Sequence, residues 1–272
     1  MLSNQLISQM IIGLFFGGVI GYLAYQVKAL SGSGAWAAMF TGGLIFGLGG
    51  MSWAILLIIF FISSSGLSKM FTERKKKLEE KFEKGSQRDW KQVFANGGLG
   101  IILVVIHTIW PEQLWPWVAY AGVLATANSD TWATEIGVMS VGEPRLITNG
   151  MIVERGTSGG VSWLGVIATI AGGAFIGIFG GLFTNNISFI VFLSVITTAG
   201  LSGSLFDSFL GATVQGMYYC PKDKKDTEHY PLHSCGTKTK LIRGWQWLDN
   251  DVVNLLSSGV GGLVAMSILA IL

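Results

Sequence analysis

"VAYAGVLATANSDTWATEIG", residues 118–137, runs from an apolar segment straight into Asn128, Asp130 and Glu135, with three threonines around them. An ionised carboxylate inside a membrane span costs about 2.5–3.5 kcal/mol on insertion scales, so it normally faces a partner or a wet cavity. Read as a helix, residues 128–137 put Asn128, Thr131 and Glu135 on one face and Asp130, Thr134 and Gly137 on another. One helix therefore does not clamp a ligand between these two acids. A second segment has to complete the site.

The rest of the chain says why the surroundings are a membrane. Of 272 residues, 50% are hydrophobic and only 12% charged, with 38 glycines and 10 tryptophans; mean hydropathy is +0.54. Soluble domains carry about 25% charged residues. The charge is also clustered. Residues 69–91 hold 14 of the 34 charged side chains and residues 222–243 hold nine more. Uncharged runs fill 1–27, 29–68, 92–111, 156–206 and 252–272, against the roughly 20 residues needed to span hydrocarbon. All five prolines fall between apolar runs. Two cysteines imply no disulfide framework. Residues 5–27 lack a basic n-region and a small-residue cleavage site, so they read as a retained span.

The expected fold is all-α: a polytopic integral membrane bundle of about six to eight transmembrane helices in a single domain, residues 1–272. Helices are predicted near 5–27, 35–49, 50–66, 94–110, 114–128, 160–182, 187–209 and 252–271. The 35–66 region reads either as two helices broken at Gly49-Gly50 or as one span plus a re-entrant piece. The mixed-charge segment 69–91 is expected as a solvated helical arm, and 216–250 as a loop. An eight-span count gathers all 18 Lys and Arg on one side; the positive-inside rule makes that side cytoplasmic. A prokaryotic plasma membrane with the site facing the cytoplasm follows as the expected location. "GGLIFGLGG" (42–50) echoes "GGAFIGIFGG" (172–181), and "SDTWATEIG" (129–137) echoes "FDSFLGATV" (206–214), which raises an internal duplication.

Four further segments carry polar groups. In "GLSGSLFDSFLGATVQG" (200–216), Ser204, Ser208, Gly211 and Gln215 form a narrow helical stripe with Asp207 at its edge. Serine and glycine alone would mean helix packing; an aspartate beside them argues for a site. In "WLDNDVVNLLSS" (247–258), Asn250, Asn254 and Ser257 share a face and Asp251 lies on the next. Asp249 or Asn250 could equally serve as an N-cap. "RGTSGGVSWLG" (155–165) offers Arg155, Ser158, Gly159 and Gly160 at the entry to an apolar helix, where backbone N–H groups suit a phosphate; it is no Walker loop. In "RDWKQVFANGG" (88–98), Gln92 and Asn96 sit one turn apart and read as site residues or interface anchors. Cys220, His229, His233 and Cys235 share one loop, where zinc is weighed against an ordinary lid, since no paired CxxC is present. His107 reads as a helix-packing residue. No Ser-His-Asp set fits. Carboxylates with Asn and Gln suit Mg²⁺, and arginine with glycine amides suits phosphate.

Taken in order, "ATANSDTWATEIG", "RGTSGGVSWLG", "GLSGSLFDSFLGATVQG" and "WLDNDVVNLLSS" resemble the integral membrane family catalogued as domain of unknown function 92. That family includes transmembrane protein 19 relatives and the plastid phytyl-phosphate kinase of plants. "FFISSSGLSKM" and "QVFANGG" look like its N-terminal half, so the resemblance covers nearly the whole chain. More distantly, the Asp-Thr-x-Ala segment followed by a Gly-Ser-rich helix start looks like CTP-dependent phytol and dolichol kinases. The resemblance implies an Mg²⁺-dependent transfer of a phosphoryl group from CTP or another NTP to a polyprenyl or phytyl monophosphate, giving the diphosphate. Rival readings are a cytidylyltransferase acting on the same substrates and a transporter or flippase of an isoprenoid. On the kinase reading Asp130, Glu135, Asp207 and Arg155 are catalytic. Asp130, Asp207 and Asp251 hold the metal. Asn96, Asn128, Thr131, Arg145, Ser158, Gly159, Gly160, Ser204, Ser208, Gln215, Asn250 and Asn254 bind substrate or nucleotide. The expected partners are an isoprenoid lipid phosphate, a nucleotide and membrane lipids, with no nucleic acid.

Overall fold

The computed structural model describes residues 4–75 and 87–272. Among the described residues are eight helices: α1 (Asn4–Gln26), α2 (Gly32–Gly49), α3 (Met51–Lys75), α4 (Trp90–Ile109), α5 (Trp115–Gly137), α6 (Trp163–Gly181), α7 (Phe189–Thr213) and α8 (Asn250–Ile271). Six of them, all but α2 and α5, are long and apolar enough to cross a membrane. Gly50, at φ 77°, separates α2 from α3, so the 35–66 region is two full helices. Three helices run past their expected ends: α3 to Lys75, α5 to Gly137 and α7 to Thr213. On α5 the added turns carry polar residues that line the cleft described below. The centre of the charged arm expected over 69–91, residues 76–86, lies outside the described residues.

Glycine lets the helices touch. Along α1, a Cβ at Gly13, Gly17 or Gly21 would stand 2.7 Å from the carbonyl oxygens of Gly43, Met39 and Ala35 respectively. Positions four apart on one helix meet positions four apart on its antiparallel neighbour, a small-residue seam of the kind that draws membrane helices together. The same device surrounds α5. Gly172 and Gly173 of α6 and Gly200 of α7 press on Ser129, while Gly203 of α7 and Gly261 of α8 press on Thr126. Residues Pro116–Ser129 of α5 are buried without a break. This explains why α5 alone can carry so many polar groups: it is walled off from lipid. By contrast α1 shows Ile11, Phe15 and Phe16 more than half exposed, as a lipid-facing rim helix should.

The connections α1–α2, α3–α4, α5–α6 and α7–α8, with the helix ends flanking them, hold all 18 Lys and Arg. Exposed Trp36, Trp90 and Trp163 begin helices at this basic end, and Trp245 and Trp247 precede α8 there. Tryptophan favours the membrane–water boundary. Two small sheets sit at the same end. β1 (Arg145–Leu146) pairs antiparallel with β2 (Gly160–Val161). β3 (Met217–Cys220), β4 (Lys225–Thr227) and β5 (Lys240–Arg243) form an antiparallel sheet in the order β4-β3-β5. The 216–250 segment is therefore a folded cap rather than a plain loop. Nor does the internal echo match a repeated set of helices: α2 stands three helices before α5, whereas α6 stands one before α7.

A Cβ at Gly200 would lie 2.6 Å from Ser129 Oγ and 3.0 Å from Gly173 Cα, whereas at Gly42 it meets nothing within 4 Å. Gly200→Leu is expected to destabilise the fold by about 1–3 kcal/mol or more through overpacking. Gly42→Ala is expected to leave it unchanged or slightly stabilised, by about 0.4–1 kcal/mol. Thermal unfolding in detergent, read by loss of the monodisperse peak on size exclusion, checks both.

Candidate active site

At the basic end the helices part around a cleft of about 300 Å³. Its floor comes from α5 and α7. Asp130 lies seven residues before Gly137 and Asp207 six before Thr213, about 10 Å down each helix at 1.5 Å per residue. Both aspartates line the cleft, with Thr131 and Thr134 beside the first and Ser204 and Ser208 beside the second. Asp207 feels the negative charge of Asp130 and of Glu228, and the Ser257 hydroxyl of α8 lies next to it. Its Oδ2 is buried and has no hydrogen-bond partner among the described residues. Asn250 and Asn254, one turn apart on α8, close that side. Asp249 caps α8 by accepting the Val252 N–H at 3.0 Å, which frees Asn250 to face the cleft.

A cationic wall comes from the start of α4. Asp89 and Gln92 form a reciprocal capping box there. The turn is tied to the α1–α2 connection, because Ser31 donates its N–H to the Arg88 carbonyl and Arg88 donates its own to Ala29. So held, the Arg88 guanidinium reaches Ser64 Oγ at 3.1 Å and stacks 5.7 Å above the Phe60 ring. Burial lowers its pKa to about 10, with Glu135 opposing that shift; it stays protonated at neutral pH. Glu135, buried on α5, also accepts a 2.7 Å hydrogen bond from Ser68 of α3. Glu135 thus sets a negative charge against the buried Arg88. Gln92 and Asn96 continue the wall, Asn96 donating to the Gln92 carbonyl at 3.0 Å.

The third wall is the 155–162 turn. Arg155 donates to the carbonyls of Val138 and Val141 at 3.4 and 3.2 Å, fastening the turn to the exit of α5. Gly159 has φ 83° and lies against Ala212, so closely that a Cβ would reach within 2.5 Å of the Ala212 nitrogen. Helix α6 begins only at Trp163, capped by Ser162, which accepts the Gly165 N–H at 3.1 Å. Gly160 belongs to β2, and its N–H is donated to Thr157. The expectation of a helix starting at residue 160 is therefore corrected, and the Gly160 N–H is taken up by Thr157. Gly159 and Gly160 shape a tight turn beside Arg155, Thr157 and Ser158.

Of the residues expected at the site, Asn96, Asp130, Thr131, Glu135, Arg155, Ser158, Gly159, Gly160, Ser204, Asp207, Ser208, Asn250 and Asn254 line this one cleft. Four do not. Asn128 is fully buried, accepting from Ser63 Oγ at 2.7 Å and donating to the Gly172 carbonyl at 2.9 Å. It cross-links α3, α5 and α6. Arg145 is exposed and donates to Gly150 in its own hairpin. Gln215, 2% exposed, links Ser158 at 2.8 Å to Glu228 at 3.0 Å; it positions walls rather than forming one. Asp251 is buried in the first turn of α8, off the cleft. Sequence reasoning missed Arg88, Ser68 and Glu228. The first two belong to segments whose charge or serine content looked like surface or packing. Glu228 is delivered by a strand pairing that no local pattern announces.

A family profile described as integral membrane protein DUF92 matches residues 15–262. The chain is a DUF92 integral membrane protein. Among DUF92 relatives, Protein PGR of Arabidopsis thaliana is 34% identical, with 92% of each chain covered. Uncharacterized membrane protein MJ0933 of Methanocaldococcus jannaschii is 28% identical over 92% of this chain and 90% of its own. Protein VTE6, chloroplastic, of Arabidopsis thaliana is 25% identical over 88% of this DUF92 chain and 65% of its own. No solved structure matches.

Removing the Asn128 amide leaves the Gly172 carbonyl and Ser63 without it inside the bundle. Asn128→Ala should lower stability by about 1–3 kcal/mol. In any assay of ligand binding at the cleft its affinity should stay near wild type. Thermal unfolding and binding measured on the same preparation check the two halves of that expectation.

Proposed function

We propose that this membrane protein is a lipid-phosphate kinase, transferring a phosphoryl group from CTP or another NTP to a polyprenyl or phytyl monophosphate within the cleft. The observation that carries the reading is the convergence of three carboxylates from separate elements, Asp130, Asp207 and Glu228, with Arg88 and Arg155 in the same cleft at the bundle's basic end. Isolated, such a set of acids would repel itself. A cation among them removes the conflict.

A phosphate monoester has its second pKa near 6, so the acceptor oxygen is already anionic at neutral pH. No strong general base is needed. The barrier lies in bringing two anions together in line. An oxygen of the lipid phosphate bonds to the γ-phosphorus while the bridging bond to the β-phosphate breaks; the electron pair leaves with the nucleoside diphosphate. Asp130 and Asp207 would hold Mg²⁺, with Glu228, Asn250 and Asn254 near. The donor set fits a hard cation that prefers oxygen, and the unsatisfied Asp207 Oδ2 is a ready ligand atom. When bound, the ion would neutralise phosphate charge. Arg155 and Arg88 would donate to phosphate oxygens, Glu135 would support the charge on Arg88, and Thr157, Ser158 and Ser162 would offer hydroxyls along the turn. The family resemblance to the plant phytyl-phosphate kinase favours an isoprenoid substrate. Its tail would lie along the apolar helix faces while the phosphate sits about 10 Å from the helix ends. The Lys and Arg distribution favours a cleft that opens to the cytoplasm.

Purified protein incubated with Mg²⁺, each NTP in turn and phytyl or geranylgeranyl monophosphate should yield the lipid diphosphate by mass spectrometry. A CDP-lipid would mean cytidylyl transfer, and no new lipid with any nucleotide would overturn the reading. Asp130→Asn and Asp207→Asn should each cut turnover at least ~100-fold, the scale of losing one charge-stabilising group, without shifting the thermal midpoint downward.

A further inference from the structure

The cap formed by β3, β4 and β5 has 11 strand residues, 4, 3 and 4 in turn, too few to build a hydrophobic core of its own. At one end of it four side chains meet. Cys220 closes β3, Asp223 sits in the β3–β4 turn, and His233 and Cys235 belong to the turn that Leu232 and Lys238 bridge. Their ligand atoms all lie within 4.8 Å of one another. Cys220 and His233 are buried. The set stands apart from the cleft walls and is independent of the reaction proposed above.

Three of the six separations match the edges of a tetrahedral zinc site. Sγ of Cys220 and Sγ of Cys235 are 3.6 Å apart, and His233 Nδ1 is 3.4 Å from Cys235 Sγ and 3.0 Å from Asp223 Oδ2. Zinc bonds of about 2.3 Å to sulfur and about 2.0–2.1 Å to nitrogen or oxygen give tetrahedral edges of roughly 3.8, 3.5 and 3.3 Å. The observed edges follow that order, each within a few tenths of an ångström. A disulfide would need its sulfurs about 2.0 Å apart, and both cysteines are free. Hydrogen bonding alone serves His233 poorly. Its Nδ1 faces the Asp223 carboxylate, the Cys235 thiol, the Ser234 hydroxyl and the Cys235 N–H at once. One ring nitrogen can either donate or accept, not both, so the carboxylate and the amide make opposite demands on it. A cation bound by nitrogen and carboxylate ends that conflict.

We propose that Cys220, Asp223, His233 and Cys235 bind a structural transition-metal ion of the zinc class. The two ligand pairs are Cys-x-x-Asp on the β3–β4 turn and His-x-Cys on the following turn. The ion ties the two turns together, supplying the order that a tiny sheet lacks. Strand β4 runs on into Glu228, which lines the cleft and is held by Gln215. The clip therefore fixes the cap from which that carboxylate reaches inward. Four protein ligands leave no open position, which suits structure rather than catalysis.

Full-length protein purified in detergent without chelator should contain about one zinc per chain by elemental mass spectrometry. After chelation, titration with Co²⁺ should produce a thiolate-to-cobalt charge-transfer band and visible bands of tetrahedral intensity. Cys235→Ser should weaken metal affinity beyond the roughly 10–100-fold that outer partners of a ligand are worth, while Asp223→His, which replaces one ligand by another, should retain the ion. A wild-type cobalt spectrum without the charge-transfer band overturns the proposal whatever the variants do. So does recovery of a Cys220–Cys235 disulfide as the main species from reducing cells. Neither result bears on phosphoryl transfer, which is read from the lipid product.

Discussion

The structure depends on the close enclosure of one polar helix by glycine. Helix α5 could not stand in lipid with Thr126, Asn128, Ser129 and Asp130 in succession. It stands among α6, α7 and α8, whose glycines bring backbone within reach of those side chains. At that distance the hydroxyls and the amide find carbonyls on neighbouring helices: Thr126 on Ala199, Asn128 on Gly172, Ser129 on Thr169. Such interhelical bonds average only about 0.6 kcal/mol in membranes. Their larger effect is on geometry. They fix α5 axially and rotationally against α6 and α7, and so decide what the next turn of helix faces.

That next turn is the cleft. Once Ser129 is locked to α6, Asp130 points between α5 and α7, where Asp207 arrives from the facing helix. Glu135, a turn and a half further on, is turned instead towards α3, where Ser68 donates to it, and its charge acts on Arg88 at the start of α4. The two acids that began as neighbours in sequence thus do different work. One shares the cleft with Asp207 and Glu228; the other accepts from Ser68 and sets its charge against the buried Arg88. The cap adds Glu228 through Gln215, which spans to Ser158 of the 155–162 turn. Helix, turn and sheet are joined at the pocket's rim by this one glutamine.

Local pattern carried the reader a long way. The uncharged runs, the clustered Lys and Arg and the Gly49-Gly50 break marked the helices and the basic end, because hydropathy and backbone freedom act residue by residue. Asp130, Asp207, Arg155 and the Ser158–Gly160 turn were legible as polar groups out of place in an apolar chain. Asn128 misled for the same reason. A buried amide that cross-links helices and an amide that binds a substrate look alike until their neighbours are known. Arg88 was hidden by the opposite error, since an arginine at the edge of a 14-charge run resembles a solvated face.

Composition and spacing by themselves determined that this chain is a membrane bundle with costly polar groups gathered near one end of its helices. Free energies of transfer depend on what each residue is, so they can be read in order along the chain. Which of those groups meet was decided only by tertiary packing. The rotation of α5 against α6 and α7, the turn of Arg88 towards Glu135 and the convergence of Cys220, Asp223, His233 and Cys235 all follow from contacts between residues distant in sequence. Distance and angle between elements are properties of the packed whole, and no single segment contains them.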